Sequence, residues 1–223
     1  MSAVSPRVDP TARNWIWRFF QIFMQGLFVF AFRYRVRGTE QLPAGGALLL
    51  MNHQSFIDPL VVAVSFHRPV SYLARHNLFS VPLIGTILRR TYVVPIRRDS
   101  AATESIRTAI HRLQEGYYVG IFPEGTRSRD GRLQELKPGF LAIARRADVP
   151  VIPIGIAGAG NAYPRGALLI RPRTVRVVVG EPFSPAEVRD SLEQGRSSEF
   201  MNSLRMRLQA AMDEALDWSL RQP

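Results

Sequence analysis

At 223 residues with 46% apolar content, the chain holds enough material for one ordinary domain with a sizeable core. The balance of 29 Lys plus Arg against 18 Asp plus Glu, a formal charge of +11, points to anionic partners: nucleic acid, lipid headgroups or phosphorylated substrates. Cysteine is absent, which excludes disulfides, thiolate nucleophiles and sulfur-based zinc sites and leaves the redox compartment unread.

The first element in chain order is residues 15 to 32, WIWRFFQIFMQGLFVFAF, the most apolar stretch of the chain. Arg18, Gln21 and Gln25 interrupt it, which makes it poor material for an independent membrane span. At 100° per residue those three and Asn14 fall in one narrow stripe, with Trp, Phe, Ile and Leu covering the rest. That geometry suits a helix lying in an interface. Residues 1–33 are therefore expected to form a membrane-associating segment ahead of a domain over 34–223. Arg7 and Arg13 precede the apolar run and Arg33, Arg35 and Arg37 follow it, which favours the cytoplasmic side for both ends. A secretory signal is the rival, but no small-residue cleavage pattern follows the run. A plain core helix is the other alternative.

From residue 34 onward, short apolar runs alternate with helical patterns and predict an α/β domain. Ala47 to Met51 reads as a buried strand. The turn NHQSFID follows, and Asp58-Pro59 is expected to open a helix by supplying an N-cap and an N1 proline. A helix is predicted over 101 to 115, with Ile106, Ile110 and Leu113 on one face and Gly116 placed to end it. A strand over 118 to 122 delivers the loop FPEGTRS. A helix near 139 to 147, strands over Val151 to Ile156 and Thr174 to Val179, and a closing helix from about 198 to 220 complete the pattern. The seam of that last helix is Leu204, Leu208, Met212 and Ala215. Strand order is not readable from the pattern.

Two constellations carry chemistry, each directly after an apolar strand, where sites of α/β proteins usually sit. In the first, His53 can take a proton from an alcohol near neutral pH, and a carboxylate such as Asp58 can fix its tautomer and stabilise the imidazolium. Read blandly, Asp58 is only a helix cap and His53 satisfies a local hydrogen bond. In the second, Phe122 to Ser128, glycine permits close backbone approach, and hydroxyls, amides and Arg127 together can hold a phosphate or a developing oxyanion. Its bland reading is an ordinary polar turn.

Together these residues resemble the glycerolipid acyltransferase family, whose best-known members acylate lysophosphatidic acid. The family's first block, N-H-x-S-x-x-D, is matched by Asn52, His53, Ser55 and Asp58, and its third, F-P-E-G-T-R-S, by residues 122 to 128 without change. Its fourth, a V-P-V-x-P strand, is matched by Val149, Pro150, Val151 and Pro153. The resemblance covers roughly residues 34 to 180. The second block departs: the family carries a glycine several residues before an arginine, where RTYVVPIRRD offers Thr91 or Tyr92. Its arginine is Arg98 if Pro95 takes the position where members often carry proline, and Arg97 otherwise.

The resemblance implies a single domain with a mixed, largely parallel sheet flanked by helices, preceded by the N-terminal interface helix. It implies that His53 is the general base and Asp58 its orienting partner, with direct attack of the acceptor hydroxyl on a thioester and no acyl-enzyme. Arg97 or Arg98, with Glu124, Gly125, Thr126 and Arg127, would bind the acceptor's glycerol phosphate. The donor would be acyl-CoA or acyl carrier protein and the acceptor a lysophospholipid, 1-acylglycerol-3-phosphate before others. No further cofactor, no metal and no nucleic acid is expected, and the place of work is an anionic surface, the cytoplasmic face of the inner membrane. Three rivals stand beside this: a hydrolase using the same His and Asp on water, a dinucleotide site at Gly158-Ala159-Gly160, and a non-enzymatic basic protein binding anionic membranes.

Overall fold

A computed structural model describes residues 15–75, 79, 80, 85, 93–96 and 102–222. In chain order the elements are α1 (Trp15–Phe32), β1 (Arg35–Arg37), β2 (Ala47–Met51), α2 (Asp58–Ser65), β3 (Val70–Arg75) and β4 (Val94–Ile96). They continue with α3 (Ala102–Gln114), β5 (Tyr118–Ile121), α4 (Leu141–Ala147), β6 (Val151–Ala157), α5 (Ala159–Ala162), β7 (Arg176–Val179), α6 (Pro185–Glu193) and α7 (Ser197–Arg221).

The strands form one seven-stranded sheet in the order β1-β7-β6-β2-β5-β3-β4. Every neighbouring pair is parallel except β6 with β7. The central strands β2 and β6 are buried along their whole length, which is why they read as continuous apolar runs. Alternation along β2 divides the core in two. Leu49 and Met51 face a layer with Phe28 and Phe32 from α1, Val61 and Val62 from α2 and Phe66 just after it, while Leu48 and Leu50 face Leu113, Ile143, Leu204 and Leu208 from α3, α4 and α7. α7 lies across β6 at such short range that a Cβ on Gly155 would stand 2.2 Å from the Ala211 carbonyl carbon, so only glycine fits there.

The predicted helix and strand positions fall on observed elements, with small shifts at the ends. The last predicted strand begins two residues later than expected, at Arg176. Gly116 does end α3: its φ is 89°, and its amide and that of Tyr117 donate to the carbonyls of Leu113 and Arg112. Because Ala157 pairs with Arg176 and Arg35 pairs with Arg176, β1 and β7 begin at the same edge of the sheet where β2 and β6 end.

One expectation changes. Asp58 is the first residue of α2, but Ile57 holds the cap position and no side chain among the described residues caps the helix. The Asp58 carboxylate turns back over the preceding loop instead. In the polar stripe of α1, Arg18 is exposed while Gln21 and Gln25 turn toward the domain. Gln21 Nε2 donates to the Phe66 carbonyl at 2.7 Å and Gln25 Nε2 to the Val64 carbonyl at 2.6 Å. These glutamines satisfy carbonyls that the end of α2 leaves without helical partners. The side of α1 left bare is apolar, with Phe23 and Ile22 each 58% exposed and Phe30 90%. Among the described residues, no helix is long and apolar enough to cross a membrane.

Candidate active site

The site is built where β2 and β5 end. Asn52, 1% exposed, pins the end of β2: its side-chain Oδ1 accepts from the Ile156 amide at 2.7 Å and its Nδ2 donates to the Ile156 carbonyl at 2.9 Å. The carboxamide thus continues the β2–β6 ladder one residue past the strand, and His53 is the first residue to leave it. Its ring stacks on Phe122 at 4.1 Å between centroids, and Phe122 in turn stacks on Tyr72.

His53 Nδ1 lies 2.8 Å from Asp58 Oδ2. The same oxygen accepts the amides of Gln54 at 2.6 Å and Ser55 at 2.7 Å, and the Asp58 side chain is completely buried. An oxygen already accepting two amide protons acts as acceptor toward the ring as well, so Nδ1 carries the proton and the neutral imidazole presents Nε2 as a lone pair. Among the described residues nothing hydrogen-bonds Nε2, and the side chain keeps 18% of its surface open. The pair is therefore arranged to take a proton from whatever reaches Nε2. Ser55, the one hydroxyl in this turn, is completely buried and donates to the Tyr163 carbonyl at 2.7 Å. It is a strut, held away from nucleophilic use.

The second loop is fastened to the first. Glu124 is 2% exposed; its Oε1 accepts the His53 amide at 2.6 Å and its Oε2 the Gln134 amide at 2.9 Å. Burial raises its carboxyl above the ordinary glutamate range, and the two amides pull the other way. Ser128 N donates to the His53 carbonyl at 2.7 Å, so residues on both sides of Arg127 are tied to the His53 main chain. Gly125 turns at φ 67°, with the Lys137 side chain lying against the face where a Cβ would project. Gly125 and Thr126 are exposed at the rim.

Arg127 sets its guanidinium 3.5 Å over the ring of Phe56, which belongs to the His53–Asp58 turn. Its Nη1 is buried and has no hydrogen-bond partner among the described residues. Burial, then the neighbouring Arg165, lowers its pKa from the ordinary arginine value. A half-buried cation with an idle donor beside a second cation is a place for an anion.

Of the predicted site residues, His53, Asp58, Glu124, Gly125, Thr126 and Arg127 come together in these two loops. Arg97 and Arg98 lie outside the described residues. Lys137 beside Gly125 and the bracing by Gln134 carried no recognisable signal as site features, whereas Asn52 and Phe122 stand in the matched motif blocks without a role readable from them. The dinucleotide reading of Gly158-Ala159-Gly160 loses its support, because the helix there is only Ala159–Ala162 and offers no extended N-terminus for a pyrophosphate.

The profile of the Acyltransferase family matches residues 33–157. The chain is 30% identical over 171 residues to the chloroplastic 1-acyl-sn-glycerol-3-phosphate acyltransferase LPAT1 of Arabidopsis thaliana, covering 74% of this chain and 48% of that protein. It is 28% identical over 176 residues to the 1-acyl-sn-glycerol-3-phosphate acyltransferase of Bacillus subtilis, covering 78% of this chain and 85% of that one. The crystal structure of the 1-acyl-sn-glycerophosphate acyltransferase PlsC from Thermotoga maritima superposes with a TM-score of 0.67 at 27% identity, covering 85% of this chain and 80% of that one. The chain spans about half the length of the plant relatives it matches.

Proposed function

The chain belongs to the Acyltransferase family, and from that premise we propose that it moves a fatty acyl group from a thioester to the free hydroxyl of 1-acylglycerol-3-phosphate, giving phosphatidic acid. The thioester is acyl-CoA or acyl carrier protein. The observation that carries the reading is the His53–Asp58 pair, 2.8 Å apart, with Nε2 and Arg127 Nη1 both unengaged among the described residues and the Arg127 guanidinium packed on the same turn.

In this mechanism His53 Nε2 removes the acceptor hydroxyl proton as the oxygen attacks the thioester carbonyl carbon. Asp58 holds the Nδ1 proton and offsets the charge of the imidazolium. When the tetrahedral intermediate collapses, the C–S bond breaks and the thiolate takes the proton from Nε2. The acyl group passes directly between substrates, in keeping with the engaged Ser55 hydroxyl and the absence of cysteine. Arg127, with Gly125 and Thr126 at the rim and one of Arg97 and Arg98, binds the acceptor phosphate. Glu124 serves that site by holding His53 and Gln134 in place. The names of the relatives favour lysophosphatidic acid over other lysolipid acceptors.

The work takes place on an anionic membrane at the cytoplasmic face. The bare aromatic side of α1 supplies the apolar contact, and Arg33, Arg35 and Arg37 behind it supply the basic flank. Incubating the purified protein with labelled acyl thioesters and a panel of lysolipids tests the proposal. Label appearing in phosphatidic acid when 1-acylglycerol-3-phosphate is present supports it; label appearing only as free fatty acid, with or without acceptor, would make the protein a thioester hydrolase.

A further inference from the structure

The connection between α5 and β7 lies beside the site, with Arg165 near Arg127, and its tip carries an unusual surface. Leu168, Leu169 and Ile170 are consecutive and 95%, 79% and 53% exposed. Single exposed leucines need no explanation, but a run of three aliphatic side chains at a loop tip does. Arg165, Arg171 and Arg173 bracket the run and are all exposed. No Asp or Glu occurs between Asp148 and Glu181, and none of these arginines ion-pairs with a carboxylate among the described residues.

The loop is tied down on both sides. At its start, the Tyr163 carbonyl receives the Ser55 hydroxyl, so it is anchored to the turn that holds His53 and Asp58. The Arg171 amide donates to the Ala162 carbonyl at 2.8 Å, closing the loop on itself. At its end, the Val175 amide donates to the Phe32 carbonyl at 2.9 Å, the last residue of α1. The loop thus bridges the catalytic turn and the helix with the bare aromatic side, at the sheet edge where β2 and β6 end.

We propose that residues 164–174 are a second membrane-seating element, in which Leu168, Leu169 and Ile170 enter the acyl-chain boundary of an anionic bilayer and Arg171 and Arg173 pair with lipid phosphates. The occupant follows from the composition of the patch: three consecutive exposed aliphatic side chains bracketed by exposed cations, with no acid between Asp148 and Glu181. Two attachments, α1 and this loop, fix the orientation of the domain, where a single helix leaves it free to swivel. A lipid acceptor then reaches Nε2 without leaving the membrane surface. The inference rests on the membrane-bound acceptor proposed above.

The experiment uses the full chain and vesicles of phosphatidylcholine with and without phosphatidylglycerol. The pair Leu168→Ser with Leu169→Ser should weaken vesicle binding about tenfold or more, since burying one exposed leucine accounts for roughly a factor of ten. The pair Arg171→Gln with Arg173→Gln should weaken binding to the anionic vesicles about tenfold and change binding to pure phosphatidylcholine little. Both should leave the melting temperature and transfer to a detergent-dispersed acceptor unchanged. A Leu169→Trp variant should show added fluorescence quenching by bromine-labelled acyl chains. Wild-type vesicle binding by the serine pair, or no added quenching in Leu169→Trp, overturns the proposal. So does a loss in the glutamine pair confined to kcat/KM for a carrier-protein donor, which would make the patch a dock for that acidic protein. Vesicle binding is read without chemistry, so this outcome is separate from whether dispersed acceptor is acylated at all.

Discussion

Replacing Asp58 by asparagine separates the charge of the carboxylate from its place in the turn. Oδ2 accepts from the amides of Gln54 and Ser55 and from His53 Nδ1. The two amides demand an acceptor, so they orient an asparagine with its oxygen at the Oδ2 position, and the turn survives. Nδ1–H then still finds an oxygen, so the tautomer is kept and only the negative charge is lost. Trading charge-assisted hydrogen bonds for neutral ones costs about 1–3 kcal/mol, or about 3–10 °C in melting temperature for a domain of this size. The asparagine NH2 would occupy the place of Oδ1, which is buried and has no partner among the described residues, so nothing among them repays the loss. Alanine would instead strand two amides and the ring proton, at about 1–3 kcal/mol for each buried group. Transfer should fall about 10²- to 10⁴-fold in both variants, because the imidazolium forms without its counter-charge. Thiol release in a continuous thioester assay, alongside thermal denaturation, reads both quantities. If Asp58→Asn keeps a third or more of wild-type turnover, the carboxylate only organises the turn and His53 works without it.

Arg127→Ala should raise KM for the phosphate-bearing acceptor about tenfold or more while leaving KM for the acyl donor nearly unchanged; an equal rise for both would move Arg127 out of the acceptor site. Glu124→Gln places an amide NH2 against either the His53 or the Gln134 amide, so it should cost about 1–3 kcal/mol in chemical denaturation and lower transfer by displacing the His53 main chain; unchanged stability would show that the brace contributes nothing. Substituting Phe23 and Phe30 by serine should release the protein from anionic vesicles with little change in melting temperature, since both are exposed on α1; retained binding would mean that the bare side of α1 is not a contact. Deleting residues 1 to 32 is a poorer version of that test, because Phe28 and Phe32 are each 2% exposed in the core and the deletion should cause aggregation.

What could be read before the structure followed from how local the physics is. β2 and β6 announce themselves because burial on both faces leaves five and seven residues of unbroken apolar or small character. α1 and α7 announce themselves through length and period. β1 is three residues, Arg-Val-Arg, two of them exposed, and nothing in it distinguishes a strand from a loop. α6 carries a purely local signal: Ser184-Pro185-Ala186-Glu187 is a capping box with proline at the helix start, and both reciprocal hydrogen bonds form. At the site, His53 and Asp58 are within reach because six consecutive residues of one turn carry both. The acceptor role of Glu124 is implied by the resemblance alone; its bracing of two backbone amides, one of them 71 residues away, is a long-range contact that no local pattern encodes. Strand order stayed unreadable because each parallel neighbour is reached through a crossover whose endpoint no local pattern encodes. The inward turn of Gln21 and Gln25 was invisible for the same reason: their acceptors are carbonyls of another helix.

The central claim is that His53 drives acyl transfer to an alcohol and not to water. The direct measurement is the ratio of ester formed to thiol released, with acyl thioester and 1-acylglycerol-3-phosphate, in the wild type and in His53→Ala. The account predicts one phosphatidic acid per thiol in the wild type, little thiol release when acceptor is omitted, and a fall of about 10²- to 10⁴-fold in both products for the variant without a change in melting temperature beyond a few degrees. Thiol release at the same rate with and without acceptor, or a His53→Ala variant that keeps more than a third of wild-type transfer, would contradict it.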